Sequence, residues 1–193
     1  MATKKMDMPT TYISSPDYVN SFTFDYIETY SFQRGGDYQL RLNVISTELD
    51  ALKIRSENEG LSTYEQERYA YLNNVYYKVG QCIIDENGQF HQSAIKTNTF
   101  KRETPEVDRL ITILNIPAVN IPYWMCAPVY RDAVVFYDKD GSIISTLNVC
   151  LGCEYMAIQP SEEIHADAEA YGLIKQFFID LGHQVQDDYP TAT

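Results

Sequence analysis

A β-hairpin in the second half of the chain constrains the fold more than any other feature of the sequence. Residues 133–136 form an unbroken apolar run, and the Asp-Lys-Asp-Gly segment at 138–141 is typical of a turn. Residues 142–149 then supply a return strand. We therefore predict antiparallel strands over 132–138 and 142–149. Because the first strand is apolar without alternation, we expect it at the centre of a sheet.

Alternating apolar and polar residues predict further strands in the first half of the chain. Residues 22–27 and 38–44 both alternate, and two glycines at 35–36 lie between them. We therefore predict an antiparallel pair joined by a Gly-Gly turn. Residues 82–90 predict another hairpin around the Asn-Gly turn at 87–88, because both residues tolerate the positive φ angles of such a turn.

Capping residues and three- and four-residue spacings predict the helices. Residues 47–79 indicate two helices in a hairpin, and Ser62 and Glu65 form a capping box at the start of the second. We expect a short helix over 104–114, which begins with Thr-Pro-Glu, and a last helix over 166–181.

These elements predict an α+β fold. We expect an antiparallel sheet built from β-hairpins, with three to four helices packed mainly on one face. The length of 193 residues fits a single domain over 1–193, with loose termini at 1–11 and 185–193.

The net charge of the chain disfavours some classes of binding partner. Twenty-seven acidic and 15 basic residues give a formal net charge of −12 and a pI near 4.6. Such a field repels phosphate backbones and anionic lipid heads, so neither a nucleic acid nor a membrane is expected. The N-terminal lysines are followed by no apolar segment of the kind found in signal peptides. We expect a soluble, cytoplasmic protein with a basic protein partner.

The cysteines are the most interesting residues chemically. Four cysteines are too few for a disulfide scaffold, and in the cytosol they stay reduced unless they bind metal or do redox work. If the pairing of the central hairpin continues outward, Cys126 lies opposite the residues that directly follow Cys153. Cys150 stands three residues earlier, and Gly152 permits a turn between the two. We predict that these three sulfurs lie in one neighbourhood, with Cys82 outside it.

Three interpretations of this group remain open, and we prefer them in the following order. In the first, the cysteines are small, buried and unreactive, and no cofactor is expected. In the second, Cys126, Cys150 and Cys153 bind zinc, which requires a fourth ligand. That ligand would be Cys82, Glu154 or His165. In the third, the CxxC motif does thiol redox chemistry, although here it ends a strand instead of beginning a helix.

The cysteines also belong to a longer pattern. Between residues 126 and 155 the chain reads Cys-x-Pro, then Arg-Asp-Ala, then Val-Phe-Tyr-Asp and Gly, and finally Leu-Asn-x-Cys-x-x-Cys. This pattern resembles a group of small bacterial proteins without an assigned activity. The resemblance implies that Cys126, Cys150 and Cys153 form one unit, and it brings no function with it.

Acidic residues gather where the last helix is predicted to begin. They are Glu162, Glu163, Asp167 and Glu169. Acids at a helix N-terminus complement its dipole, and this explanation is preferred to a metal held by His165 and Glu169. The sequence shows no hydrolase, P-loop or dinucleotide motif, and His91 and His183 have no evident acid–base partner. An enzyme is therefore the less favoured class.

The 16 tyrosines add to the case for a binding protein. A rigid ring with a polar tip suits protein interfaces, although tyrosine is also a good strand former. Tyr69 and Tyr76 take core-facing positions, so Tyr71 and Tyr77 are predicted to be exposed. The leading hypothesis is a non-enzymatic acidic binding protein, similar to an inhibitor or immunity protein, that engages a basic partner through these acids and tyrosines. The competing hypothesis is the cysteine site.

Overall fold

The computed structural model describes residues 11–77, 81–123 and 125–185. The chain divides into two compact units. The first, here called the sheet unit, comprises Met1–Phe32 and Gly80–Thr193, and the second, the helical unit, comprises Gln33–Val79. The expectation of a single domain stays a prediction. Most of both termini that were expected to be loose lies outside the described residues.

The sheet unit is built on a seven-stranded sheet. Its strands are β1 (Thr11–Ser14), β2 (Tyr26–Ser31), β3 (Ile95–Lys101), β4 (Asp132–Tyr137), β5 (Ile143–Cys150), β6 (Tyr155–Gln159) and β7 (Glu162–His165). They lie in the order β1-β7-β6-β5-β4-β2-β3. Neighbouring strands are antiparallel except β1 and β7, which are parallel. The sheet is therefore mixed, and the predicted sheet of antiparallel hairpins is confirmed only in part.

β4 and β5 form the predicted central hairpin. Asp132 pairs with Val149, and Phe136 pairs with Ser145. Every residue of β4 is buried, because the strand has neighbours on both edges and covered faces on both sides. Phe136 belongs to the core cluster on one face and Val135 to the cluster on the other.

Five helices lie among the described residues, so the expectation of three to four helices packed mainly on one face is met only in part. They are α1 (Ser15–Asn20), α2 (Gly36–Asn58), α3 (Thr63–Tyr77), α4 (Pro105–Leu114) and α5 (Ala168–Asp180). α1, α4 and α5 cover one face of the sheet, where Tyr18, Leu110 and Phe177 are buried in one cluster with Val134 of β4. The last two predicted helices are thus confirmed, with small shifts at their ends.

The opposite face of the sheet carries a second buried cluster. Cys82 and Ile83 are buried there against residues of β4 and β5. The backbone N–H of Ile83 donates to the side-chain oxygen of the buried Asn148 at 2.7 Å, which holds this segment on β5. The hairpin predicted over 82–90 is reduced to one bridge, from Ile84 to Phe90.

Residues 38–44 were predicted as a strand, and this prediction was wrong because they belong to helix α2. β2 pairs instead with β3 and β4. The alternation has a helical cause. Leu42 and Ile45 fall on one side of α2, and Leu40 and Val44 fall on another. A helix with apolar residues on two faces therefore produces an i, i+2 pattern like that of a strand.

α2 and α3 form the predicted helical hairpin. Its buried core consists of Ile45 and Leu49 from α2 and Leu72 from α3. Ser62 and Glu65 form the predicted capping box, in which the Ser62 N–H donates to Glu65 Oε2 at 2.9 Å. Within the described part of the chain, no helix combines the length and the apolar character needed to cross a membrane.

Candidate functional site

The central hairpin brings Cys126 and Cys153 together, as its register predicts. The two residues form a disulfide with an Sγ–Sγ distance of 2.12 Å and a Cα–Cα distance of 6.3 Å. Both are half-buried. The disulfide therefore links the chain just before β4 to the turn just after β5.

Cys150 is buried in a cluster against which Cys153 also packs. It is a buried thiol on the face of the sheet opposite α1, α4 and α5, where Cys82 is also buried, and both lie close to Tyr130. Burial, together with these two thiols, raises the pKa of Tyr130. The expectation that Cys82 lies apart from Cys150 was therefore wrong. No local sequence signal places residue 82 on this face, because the contact depends on the distant Asn148.

The proposed zinc ligands are not arranged as a metal site in the described part of the chain. His165 lies on β7, where its ring stacks on Tyr12 at 4.6 Å and its Nε2 lies 3.4 Å from Glu163 Oε2. Two of the three candidate sulfurs are joined in the disulfide. In the described ranges, no group of three or more His, Cys, Asp or Glu side chains is arranged to hold a metal ion. Zinc binding therefore stays a prediction, and it concerns the reduced protein.

The acidic residues divide between a strand and a helix. Glu162 and Glu163 lie on β7 beside β1, and not at the start of the last helix as predicted. The reason is that β7 follows β6 through a tight turn and delays the helix. Glu169 is exposed in the first turn of α5.

Asp167 is buried and fastens a loop. Its carboxylate caps α5 by accepting from the Glu169 N–H at 3.1 Å, and it also accepts from Asn120 N–H at 2.7 Å and Val119 N–H at 3.2 Å. The Asn120 and Glu169 hydrogen bonds lower the pKa of this carboxyl. The Ala168 N–H donates back to the Asn120 carbonyl at 2.9 Å. Asp167 is thus a support of the loop that follows residue 118, and its carboxylate is not available at the surface.

That loop, residues 119–125, is here called the anchored loop. Its apolar side chains are largely exposed, with exposed fractions of 76% for Val119, 45% for Ile121, 83% for Tyr123 and 97% for Met125. Trp124 lies outside the described residues. The loop begins at the Asp167 carboxylate and ends at the disulfide of Cys126, so both its ends are fixed. No local signal in the sequence indicated this exposure.

The candidate tyrosines belong to α3. Tyr71 is exposed as predicted, with the Arg68 guanidinium 5.7 Å from the centre of its ring. The side chain of Tyr77 lies outside the described residues, so its exposure stays a prediction.

His183 has a partner that the sequence did not indicate. Its Nδ1 lies 2.7 Å from Asp132 Oδ1 and its Nε2 lies 2.8 Å from Thr97 Oγ1. Thr97 reaches His183 because a β-bulge in β3 leaves Thr97 outside the residue-by-residue pairing with β2. An acid, a histidine and a hydroxyl in this order also occur in hydrolases. Here, however, the hydroxyl also bonds to Thr29 Oγ1 at 2.6 Å and to its carbonyl at 2.9 Å, so we interpret the group as a clamp between β2, β3, β4 and the end of α5.

A further polar cluster lies on the face of the sheet opposite α1, α4 and α5. Tyr30 donates to Glu28 Oε2 at 2.5 Å, and Lys96 Nζ donates to Glu28 Oε1 at 2.9 Å. These hydrogen bonds outweigh the effect of burial and lower the pKa of Glu28. Burial raises the pKa of the neighbouring Tyr137 to about 12. A carboxylate held in its ionised form and a phenol held neutral make a structural cluster and not an acid–base pair for catalysis.

Comparisons with protein families, with curated proteins and with solved structures found no match to this chain. The function must therefore be argued from the surface and the chemistry described above.

Proposed function

We propose that the chain is a binding protein whose anchored loop contacts a basic protein partner. The observation that carries this proposal is the exposure of Val119, Ile121, Tyr123 and Met125 on a loop that is fixed at both ends. Exposed apolar side chains gathered in one segment are typical of interaction sites. The proposal keeps the comparison with inhibitors and immunity proteins that the acidic sequence suggests.

The anchors favour binding because they order the loop in advance. A flexible loop loses conformational entropy when a partner fixes it, and that loss weakens binding. Here the Asp167 carboxylate holds the backbone of Val119 and Asn120, and the disulfide holds the other end. Tyr123 and Met125 are side chains of the kind enriched at the centre of protein interfaces. The entropy cost of presenting them is therefore reduced.

Charge supports a basic partner. The sequence of the sheet unit contains 20 acidic and nine basic residues, whereas the helical unit contains seven acidic and six basic residues. Nearly all of the net negative charge therefore lies on the unit that carries the anchored loop. Such a field accelerates the approach of a basic protein and weakens with added salt. Glu162, Glu163 and Glu169 remain candidate contacts, and Asp167 acts through the loop.

The test compares a loop variant with a matched control. The loop variant carries Tyr123→Ser and Met125→Ser, and the control carries Tyr64→Ser and Ile95→Ser at exposed positions elsewhere. Proteins captured from native extract by the wild type and by the control, but not by the loop variant, are identified and purified. Calorimetry on the purified pair should then show a basic partner and a loss of at least about tenfold in affinity for the loop variant. The single tryptophan, Trp124, supplies a fluorescence signal for the same titration.

Two results would contradict this proposal. One is that the loop variant retains every captured partner with unchanged affinity. The other is that reversing the charges of Glu162, Glu163 and Glu169 leaves the association rate unchanged at every salt concentration. That result would show that electrostatic attraction does not drive the association.

A second candidate function rests on the disulfide. The Cys126–Cys153 disulfide is half-buried, and Cys150 precedes Cys153 by three residues in the sequence. In thiol–disulfide exchange, a dithiol substrate would be oxidised to a disulfide while Cys126 and Cys153 take up two electrons and two protons as thiols. Mass spectrometry after incubation with reduced thioredoxin-type dithiols and an alkylating agent should label both cysteines. Resistance of the disulfide at all dithiol concentrations below denaturing conditions would exclude this candidate. Metal analysis of a separate sample of the reduced protein, taken before alkylation and freed of the dithiol, tests zinc.

A further inference from the structure

Helix α2 has two apolar faces, and α3 covers one of them. Ile45 and Leu49 are buried against α3. On the other face the exposed fractions are 65% for Leu40, 67% for Val44 and 59% for Ile54. At about 100° per residue, the two faces lie roughly 150° apart around the helix. The exposed face is therefore directed away from α3, and it accounts for the strand-like alternation near the start of α2.

The exposed face follows a heptad repeat, and it is here called the coiled-coil stripe. Its residues recur at alternating spacings of four and three, the pattern of a two-stranded coiled coil. The d positions are Leu40, Thr47 and Ile54, and the a positions are Val44, Ala51 and Asn58. All six are exposed. In the first layers, Val44 at a with Leu40 at d is the combination that favours two parallel strands, and a polar Asn at a favours a single register.

The charges beside the stripe distinguish the two orientations of a pair of such helices. In a parallel pair each g residue lies beside the e residue five positions further on in the second copy, so Asp50 meets Arg55 twice. An antiparallel pair with the same layers places Arg41 beside Arg55 and Glu48 beside Glu48. Parallel packing therefore joins opposite charges, whereas antiparallel packing joins like charges. Arg55 already bonds to Glu65 of its own chain, and its five N–H donors allow both contacts.

We infer that two copies of this chain associate as a parallel pair through the coiled-coil stripe of α2. The near-balance of charge in the helical unit, with seven acidic and six basic residues, means that the two copies meet where self-repulsion is weakest. The association goes beyond the binding of a basic partner and does not depend on it, because the stripe and the anchored loop lie on different units.

Sedimentation equilibrium of the full chain over a range of concentrations tests whether the coiled-coil stripe is a dimer interface. The wild type should show a concentration-dependent dimer. Ile54→Lys should weaken the dimer by about tenfold or more, because it places a charge in an apolar layer. Ile95→Lys is the matched control, since Ile95 is similarly exposed on β3, and it should leave the dimer intact. Circular dichroism confirms that both variants fold. A wild type that stays monomeric throughout, or a dimer that Ile54→Lys does not weaken, would overturn the inference.

A cysteine crosslink tests the orientation. In a parallel pair the two copies of residue 58 meet, so Asn58→Cys should form an intermolecular disulfide under mild oxidation. In the antiparallel arrangement residue 58 lies opposite residue 40, and its two copies are about 27 Å apart along the helix axis. Lys53→Cys, at an exposed position off the stripe, is the control and should stay unlinked. A dimer in which Asn58→Cys fails to crosslink would overturn the parallel arrangement.

Discussion

The two units of this chain differ in how much apolar surface they bury. In the sheet unit both faces of the sheet are covered, and β4 is buried along its whole length. The helical unit has a small buried core of Ile45, Leu49 and Leu72, flanked by half-buried residues. Since buried apolar area supplies most of the free energy of folding, the sheet unit is expected to be the more stable. The helical unit is expected to open locally at a lower free energy.

The helical unit relies on surface interactions where the sheet unit relies on packing. Arg68 holds Glu48 through two hydrogen bonds of 2.7 Å, and Arg55 bonds to Glu65. Both pairs are partly exposed to solvent. Exposed ion pairs contribute less than about 1 kcal/mol each. These ion pairs fix the alignment of α2 against α3 more than they add to the free energy of unfolding. The difference in stability between the two units can be tested by mutation.

The largest effect is expected from Phe136→Ala in β4. This buried ring contacts the rings of Phe22, Phe24 and Tyr18, at centroid distances of 5.1, 4.9 and 6.3 Å. Its removal should lower the free energy of unfolding by about 3–5 kcal/mol, because a cavity remains in a close-packed core. Chemical denaturation measures the change, with Phe90→Ala, a more exposed position, as the control. A loss below about 1 kcal/mol would show that β4 is not the centre of stability.

Leu72→Ala should have an effect of about 2–5 kcal/mol that stays within the helical unit. Leu72 is the fully buried residue that α3 contributes to the small core. Hydrogen exchange should speed up for the amides of α2 and α3 and remain unchanged in β4 and β5. If the strands lost protection to the same degree, the two units would unfold together, and the helical unit would not open at a lower free energy than the sheet unit.

The sequence predicted those elements whose cause is local. The β4–β5 hairpin followed from an unbroken apolar run next to a turn. α4 followed from its Thr-Pro-Glu start, and α5 from its apolar face. Residues 38–44 were assigned wrongly because the second apolar face of α2 imitates the period of a strand. Periodicity cannot separate the two where a helix is apolar on both sides.

The candidate site was predictable only through the hairpin register. That register placed Cys126 near Cys153, which the disulfide bears out. The contact of Cys82 with the cluster around Cys150 depends on packing between distant segments. The same holds for the Asp132–His183 pair, which is separated by 51 residues in the sequence. The support of the anchored loop by Asp167 also crosses a long stretch of chain, and the sequence indicated only a general interaction of the acids with the dipole of the last helix.

Asp167→Asn should have a smaller and more local effect in the sheet unit. The amide still caps α5 but is a weaker acceptor for the N–H groups of Val119 and Asn120. Hydrogen exchange at these two amides should accelerate, while Glu169→Gln serves as the control. The folded pKa of Asp167 lies below its ordinary value of 3.8. The stabilisation is therefore present above that value and is lost as the pH falls through the folded pKa. This role would be contradicted if Asp167→Asn showed the hydrogen-exchange rates of the wild type and the same loss of unfolding free energy at acid pH.

The smallest effect is expected from Glu65→Ala in the helical unit. Hydrogen bonds from the Ser62 side chain and backbone, and then from Arg55, lower the pKa of Glu65 to about 2. Because the folded pKa is lower than the ordinary value of 4.5, this contribution is present above pH 4.5 and is lost as the pH falls toward 2. Hydrogen exchange in the first turn of α3 should therefore accelerate in Glu65→Ala at neutral pH, and the difference from the wild type should shrink steadily as the pH falls from 4.5 through about 2. Glu67→Ala, an exposed acid in the same turn, is the matched control for the loss of one negative charge. Equal acceleration in both variants would show that charge near the helix start, and not the capping box, holds this end of the helical unit.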